Sequence, residues 1–183
     1  PRQLISILER VLVRAPMLTA NSLTESLFTA DGVRALDRFL IDERGVDGYG
    51  LMQKAARTAF RQVLRHWPSA SHIVVLCGAG NNGGDGYLVA LNALRHGLEV
   101  TCVTVADPQK LSGDARRAWQ DAVEADVSMT PWLDLDDGAR SSLFGGDTVV
   151  VDAMLGTGAR GRPRAPMDEV IGWINRGASP VLA

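Results

Sequence analysis

The chain has 183 residues, of which 46% are hydrophobic and 22% charged, and its formal net charge is −2. That length suits one α/β domain with a real core, and the charge gives no electrostatic reason to expect nucleic acid or an anionic membrane. No apolar run approaches the ~20 residues of a membrane-crossing helix, and the two cysteines, Cys77 and Cys102, form no metal spacing or disulfide framework, which favours a reducing, cytoplasmic compartment.

Residues 4 to 13 carry a helical stripe of Leu4, Ile7, Leu8, Val11 and Leu12. Glu9, Arg10 and Arg14 interrupt it too often for a signal peptide. Residues 15 to 29 are rich in Ser, Thr, Asn and Pro and read as a linker. Residues 1–28 are therefore expected to be an amino-terminal extension, and residues 29–183 the domain proper. Two helices follow, over 31–44 and 49–66, the second with Met52, Ala55, Ala56, Ala59, Phe60 and Val63 on one face. Asp37 sits on the apolar stripe of the first, where a carboxylate needs a partner if buried.

From residue 73 the pattern alternates. The spacing predicts a strand at 73–77 and a helix at 86–96 that ends at Gly97. A strand over 98–105 comes next, then a helix capped by Ser112 or Asp114 and running through Glu124. A short strand over 126–129 leads to loop, or a short helix, across 131–146. A strand at 147–152 ends in Asp152, and a second glycine-rich loop spans Gly156 to Arg162. Met167 to Arg176 is a helix, and Pro180 to Ala183 begins one more strand. Apolar strands alternating with helices predict a mostly parallel sheet covered on both faces. The chain starts without methionine and stops inside an apolar run, so both ends read as cut.

The loop Gly78-Ala79-Gly80-Asn81-Asn82-Gly83-Gly84-Asp85-Gly86 organises the rest. Five glycines in nine residues suit a turn that a ligand approaches closely or that needs φ > 0. The turn aims the first amides of a helix at an anion such as a pyrophosphate. Ligands of open parallel sheets sit beyond the carboxyl ends of the strands. The loops after 73–77 and 147–152 both belong there, and one site built from the two is expected.

Gly78, Gly80 and Gly83 fit G-x-G-x-x-G, a weak pattern alone. A dehydrogenase-type fold wants an acidic residue about 20 residues further on for the ribose; Asp107 is a late candidate. Asp85 at the helix start opposes that reading, because a carboxylate there competes with a pyrophosphate for the same amides. Asn81, Asn82 and Asp85 instead offer oxygens suited to sugar hydroxyls or a hard cation. The plainer role for Asp85 is to cap the helix.

The run from Gly78 to Gly86 closely resembles the signature of the NAD(P)H-hydrate epimerases, the YjeF amino-terminal domain family. Three further stretches are similar to it. Residues 30 to 60, with Asp37 and Leu51-Met52-x-x-Ala55, resemble the family's opening helices. Val151 to Gly158 resembles its second signature, and Pro180 to Ala183 the strand before its last motif.

The resemblance implies a Rossmann-like three-layer α/β/α fold preceded by two helices. It implies interconversion of the R and S epimers of NADHX and NADPHX, reduced nicotinamide cofactors hydrated at ring carbon six. A dehydratase, fused or separate, then repairs the S form. Substrate binding carries over to Asn81, Asn82, Gly83, Gly84 and Asp85, and to Gly156, Thr157, Gly158, Ala159, Arg160, Gly161 and Arg162. A potassium ion carries over to Asn82 and Asp152, and Arg160 and Arg162 suit phosphate. A homo-oligomer is expected. The alternative is a non-catalytic nucleotide-binding or scaffold domain of the same fold. The family's final motif, Asp-x-Pro-Ser-Gly, should begin just past Ala183. Its Asp is the candidate acid–base group and its Ser helps hold the potassium. The domain is thus expected to be truncated at its carboxyl end, and this chain to lack epimerase activity by itself. His66, His72 and His96 fall away from the rim and are poor substitutes.

Overall fold

The computed structural model describes residues 29–183 except Gly146. The helical stripe and linker expected before residue 29 lie outside the described residues, as does the side chain of Asp37. The chain divides into two compact units, one ending at Asp47 and one running Gly48–Ala183. In the first, α1 (Ala30–Arg38) runs into a π-helical turn, Phe39–Glu43. Thr29 caps α1: its side chain accepts from the Gly32 amide at 3.1 Å.

The second unit opens with α2 (Gly48–His66), whose buried face is Tyr49, Met52, Ala56, Phe60 and Val63. Then come β1 (His72–Cys77), α3 (Asn81–Arg95), β2 (Glu99–Thr104) and α4 (Gly113–Glu124). They are followed by β3 (Met129–Pro131), α5 (Asp137–Leu143), β4 (Thr148–Ala153), α6 (Met167–Arg176) and β5 (Val181–Leu182). Short 3-10 turns at Pro108–Lys110 and Trp132–Asp134 precede α4 and α5.

All five strands are parallel, in the order β3-β2-β1-β4-β5. β1 lies at the centre and is apolar on both faces, as a doubly covered strand must be. Ile73, Val75 and Cys77 face α2, α3 and α4, while Val74 and Leu76 face the layer holding Trp132, Phe144 and Val170. The three-layer architecture expected from the alternation is present. β3 is short and at an edge, which lets Pro131 end it without costing an inner ladder bond.

At the amino edge His72 bridges both neighbours of β1. Its Nε2 lies 2.9 Å from Thr101 Oγ1 and its Nδ1 3.2 Å from Thr148 Oγ1. That is the opposite rim from the loops, as the sequence implied. Among the described residues no helix is long and apolar enough to cross a membrane.

Candidate functional site

β1 and β4 are neighbours, yet their chains leave the sheet toward opposite faces. α3 follows β1 and packs with α2 and α4; α6 follows β4 and packs on the other side. Such a divergence leaves a crevice at the carboxyl rim, where ligands of open parallel sheets bind.

The first jaw of the crevice is built by backbone closeness. Gly78 donates its N–H to the Ala153 carbonyl at 3.1 Å, and Val105 donates to the Cys77 carbonyl at 2.8 Å. The ends of β1, β2 and β4 are thereby tied together. Gly80 turns the chain with φ +82 and holds the cap position of α3. Helix then begins at Asn81, five residues earlier than the glycine content suggests. Asp85 is therefore the fifth helical residue and half-buried, so it does not cap the helix.

The glycines serve packing more than ligand approach. A Cβ on Gly78 would stand 2.0 Å from the Met154 carbonyl oxygen, and one on Gly83 2.0 Å from that of Gly78. On Gly86 it would meet Ala153 Cβ at 2.6 Å and Cys77 Sγ at 2.9 Å. On Gly84 it would meet Ala115 Cα and the Met52 thioether, each at 2.9 Å. Of the five glycines only Gly80 has positive φ. Gly84 thus lets α2 and α4 close on α3, and its need for glycine is internal.

The second jaw is the segment after β4. Asp152 is half-buried at the end of the strand, and its Oδ1 accepts the Met154 N–H at 3.0 Å. A side chain joins the jaws: Asn82 Nδ2 donates to the Leu155 carbonyl at 3.2 Å. Gly156 keeps that contact open, since a Cβ there would come 3.1 Å from Asn82 Cβ. Residues 156–164 are exposed throughout.

Beside the junction lies a cavity of about 770 Å³. Ala159, Arg160, Gly161 and Arg162 line it, as do Val105, Ala106, Asp107, Leu133, Leu155 and the segment through Met167. Asn81 to Asp85, Gly156, Thr157 and Gly158 are not in its lining. Leu155 joins the two regions, with its carbonyl on Asn82 and the residue itself in the cavity wall. Asp107 is no free ribose partner: its Oδ1 accepts the Gln109 N–H at 2.9 Å and its Oδ2 lies 3.8 Å from Lys110 Nζ. Val105, Leu133, Arg164 and Met167 escaped the sequence reading because nothing in their spacing sets them apart from core or loop residues. The 3-10 turn that carries Leu133 is the one signal, since it leaves a leucine 75% exposed.

Two groups near the first jaw titrate abnormally. Burial pushes the Cys77 thiol up, reinforced by its hydrogen bond with Cys102, whose Sγ is 3.5 Å away. Burial also raises the Tyr87 phenol, with the neighbouring cysteines adding to the effect. These groups are neutral interior groups, and poor nucleophiles for that reason. Among the described residues no group of three or more His, Cys, Asp or Glu is placed to hold a metal.

A parallel α/β sheet with a glycine-capped helix after β1 and a second glycine-bearing loop after β4 defines a Rossmann-like α/β domain. The chain belongs to the family described as YjeF-related protein N-terminus, which residues 48–183 match. It is 40% identical over 151 residues to the bifunctional NAD(P)H-hydrate repair enzyme Nnr of Coxiella burnetii, covering 82% of this chain and 29% of that protein. The same-named enzyme of Escherichia coli is 36% identical over 166 residues, with 88% and 30% covered. The NAD(P)H-hydrate epimerase of Pirellula staleyi is 34% identical over 155 residues, with 82% and 66% covered. The chain thus spans about 30% of the length of these two bifunctional relatives. The crystal structure of yeast ynu0, YNL200c, superposes with a TM-score of 0.74 over 86% of this chain and 68% of that one. At 18% identity that likeness speaks for the fold.

Proposed function

We propose that this chain supplies the epimerase part of NAD(P)H-hydrate repair, interconverting the R and S forms of NADHX and NADPHX. The observation that carries the reading is the Asn82–Leu155 contact, which joins the two family signature loops into one rim surface. The first amides of α3 point from that surface and suit the pyrophosphate of a dinucleotide. Asn81 and Asn82 supply side-chain oxygens for its hydroxyls, Gly156 to Arg162 flank its other side, and Asp85, whose Oδ1 is buried, stands behind the rim.

The donor set at the junction fits a weakly hydrated monovalent cation better than a divalent one. It offers one carboxylate, Asp152, and the amide oxygen of Asn82, whose nitrogen is already committed to Leu155. Potassium accepts a shell of low charge that includes carbonyl-type oxygens, whereas divalent ions are held by more carboxylates. Bound there, potassium would supply positive charge beside the phosphates, with Asn82 and Asp152 as its side-chain ligands. Asp152 would hold the rim and the ion rather than move a proton. Proton transfer is assigned to the Asp of the family's Asp-x-Pro-Ser-Gly motif, which the sequence through Ala183 does not contain. A dehydratase acting on the S epimer, as a fused domain or a separate protein, is the functional partner, and the cytoplasm is the compartment.

The test is epimerisation of R-NADHX by the full-length protein, followed by chromatography, with the spontaneous rate subtracted. A placed general acid–base is worth ~10²–10⁴-fold, so the enzymatic rate should stand clear of background. A rate equal to background would leave a non-catalytic nucleotide-binding domain.

A further inference from the structure

The lining of the cavity beside Leu155 is uneven. Val105, Leu133, Leu155 and Met167 give it apolar walls. Its charged members are Arg160, Arg162 and Arg164 against the single carboxylate of Asp107. Leu133 is 75% and Leu155 42% exposed, so two large apolar side chains stand at a polar rim. Asp107 follows β2, near where a dinucleotide fold places the acid that takes a ribose 2′-hydroxyl. Here it is turned to its own 3-10 turn and to Lys110. Folds that accept a 2′-phosphate put arginine near that position. The amino end of α6 also reaches the cavity, through Met167, but Asp168 and Glu169 occupy its first turn. An anion in the cavity is therefore held by guanidinium groups and not by helix amides.

We propose that this cavity receives the adenosine end of the dinucleotide, and that Arg160, Arg162 and Arg164 select the form carrying a 2′-phosphate. The assignment rests on the dinucleotide reading above and extends it to a preference for NADPHX over NADHX. The adenine takes the apolar walls; the phosphate takes the arginines, whose planar fork pairs two of its oxygens at once.

The experiment is calorimetric binding of adenosine 2′,5′-bisphosphate and of 5′-AMP to the full-length protein, since the two differ by one phosphate. The bisphosphate should bind about tenfold or more tightly, the scale of one or two charge-assisted hydrogen bonds. The double variant R162A/R164A should lose most of that difference. Leu133→Ser, at an exposed position, removes apolar wall without adding charge; it should weaken both ligands alike, and it serves if the arginine variant fails to fold. Equal affinities in the wild-type protein overturn the proposal. So does a full difference in a folded double variant, or unchanged binding in Leu133→Ser. An active epimerase with equal affinities removes only the cavity assignment. An inactive protein that still prefers the bisphosphate removes only the catalytic reading.

Discussion

The side-chain amide of Asn82 and the backbone carbonyl of Leu155, 73 residues apart in the chain, are hydrogen-bonded at 3.2 Å. That bond fastens the helix after β1 to the segment after β4. A neutral hydrogen bond of this kind contributes ~0.5–1.5 kcal/mol to stability. Asn82→Ala should therefore cost little in urea denaturation but lower dinucleotide affinity by more than that figure implies, because the two halves of the site lose their register. Calorimetry beside denaturation on one preparation separates the two effects. Equal losses would mean that the bond is only structural.

Gly83 and Gly84 are adjacent but need glycine for different reasons. Gly83→Ala forces a Cβ onto the Gly78 carbonyl, with no side chain able to yield. It should displace the loop and abolish ligand binding. Gly84→Val instead drives α3 away from Met52 and Ala115. It should destabilise the domain by ~1–3 kcal/mol or more, the range for overpacked cores, and weaken binding as a consequence. Thermal melts and ligand titrations on both variants should show that order of effects reversed between them.

Asp152→Asn keeps an oxygen for the Met154 N–H and removes the charge. If Asp152 and Asn82 hold potassium, the wild-type melting temperature should rise with potassium chloride more than with the chloride of a bulky organic cation. In Asp152→Asn that difference should vanish. An equal potassium response in both proteins counts against the cation site.

Tyr49 carries the pH prediction. Its hydroxyl is hydrogen-bonded to Asp121, and the Arg117 guanidinium lies 4.0 Å from its ring centroid. Burial, then the Asp121 hydrogen bond, raise its pKa from 10.0 to about 12. The native state thus keeps a proton that the unfolded chain releases. The stability from this group is whole below pH ~10 and is lost as pH rises toward 12. The melting temperature should fall more steeply over that interval in the wild-type protein than in Tyr49→Phe. Parallel curves would assign the alkaline loss to other groups.

Four of the strands were legible because each is a short apolar run between turn signals, and their parallel direction follows from their alternation with helices. β3 was misplaced: expected at 126–129, it lies at Met129–Pro131, where Met-Thr-Pro offers no apolar run to mark it. The start of α3 was not. Asn and Gly are poor helix formers, so Asn81 to Asp85 read as loop. Close packing of Gly83, Gly84 and Gly86 against neighbouring backbone and side chains overrides that propensity. α5 was half-hidden for a similar reason: its start depends on Asp136, whose Oδ1 accepts the Ala139 N–H at 2.7 Å, inside a stretch crowded with other turn formers. The rim loops were legible from glycine and asparagine. The cavity was not, because Val105, Leu133 and Met167 come from three separate stretches of the chain and meet only in three dimensions.

The glycines of the two jaws also differ in how much change they allow. At Gly78, Gly83, Gly84 and Gly86 any side chain collides with atoms of the folded interior, whereas a Cβ on Gly158 would meet nothing within 4 Å. A mutational library across both loops should return near-invariance in the first and tolerance at Gly158 in the second. Drift in ligand preference therefore has an open route through Gly158 and the exposed side chains beside it, while the core-locked jaw preserves the frame on which each new preference is tried.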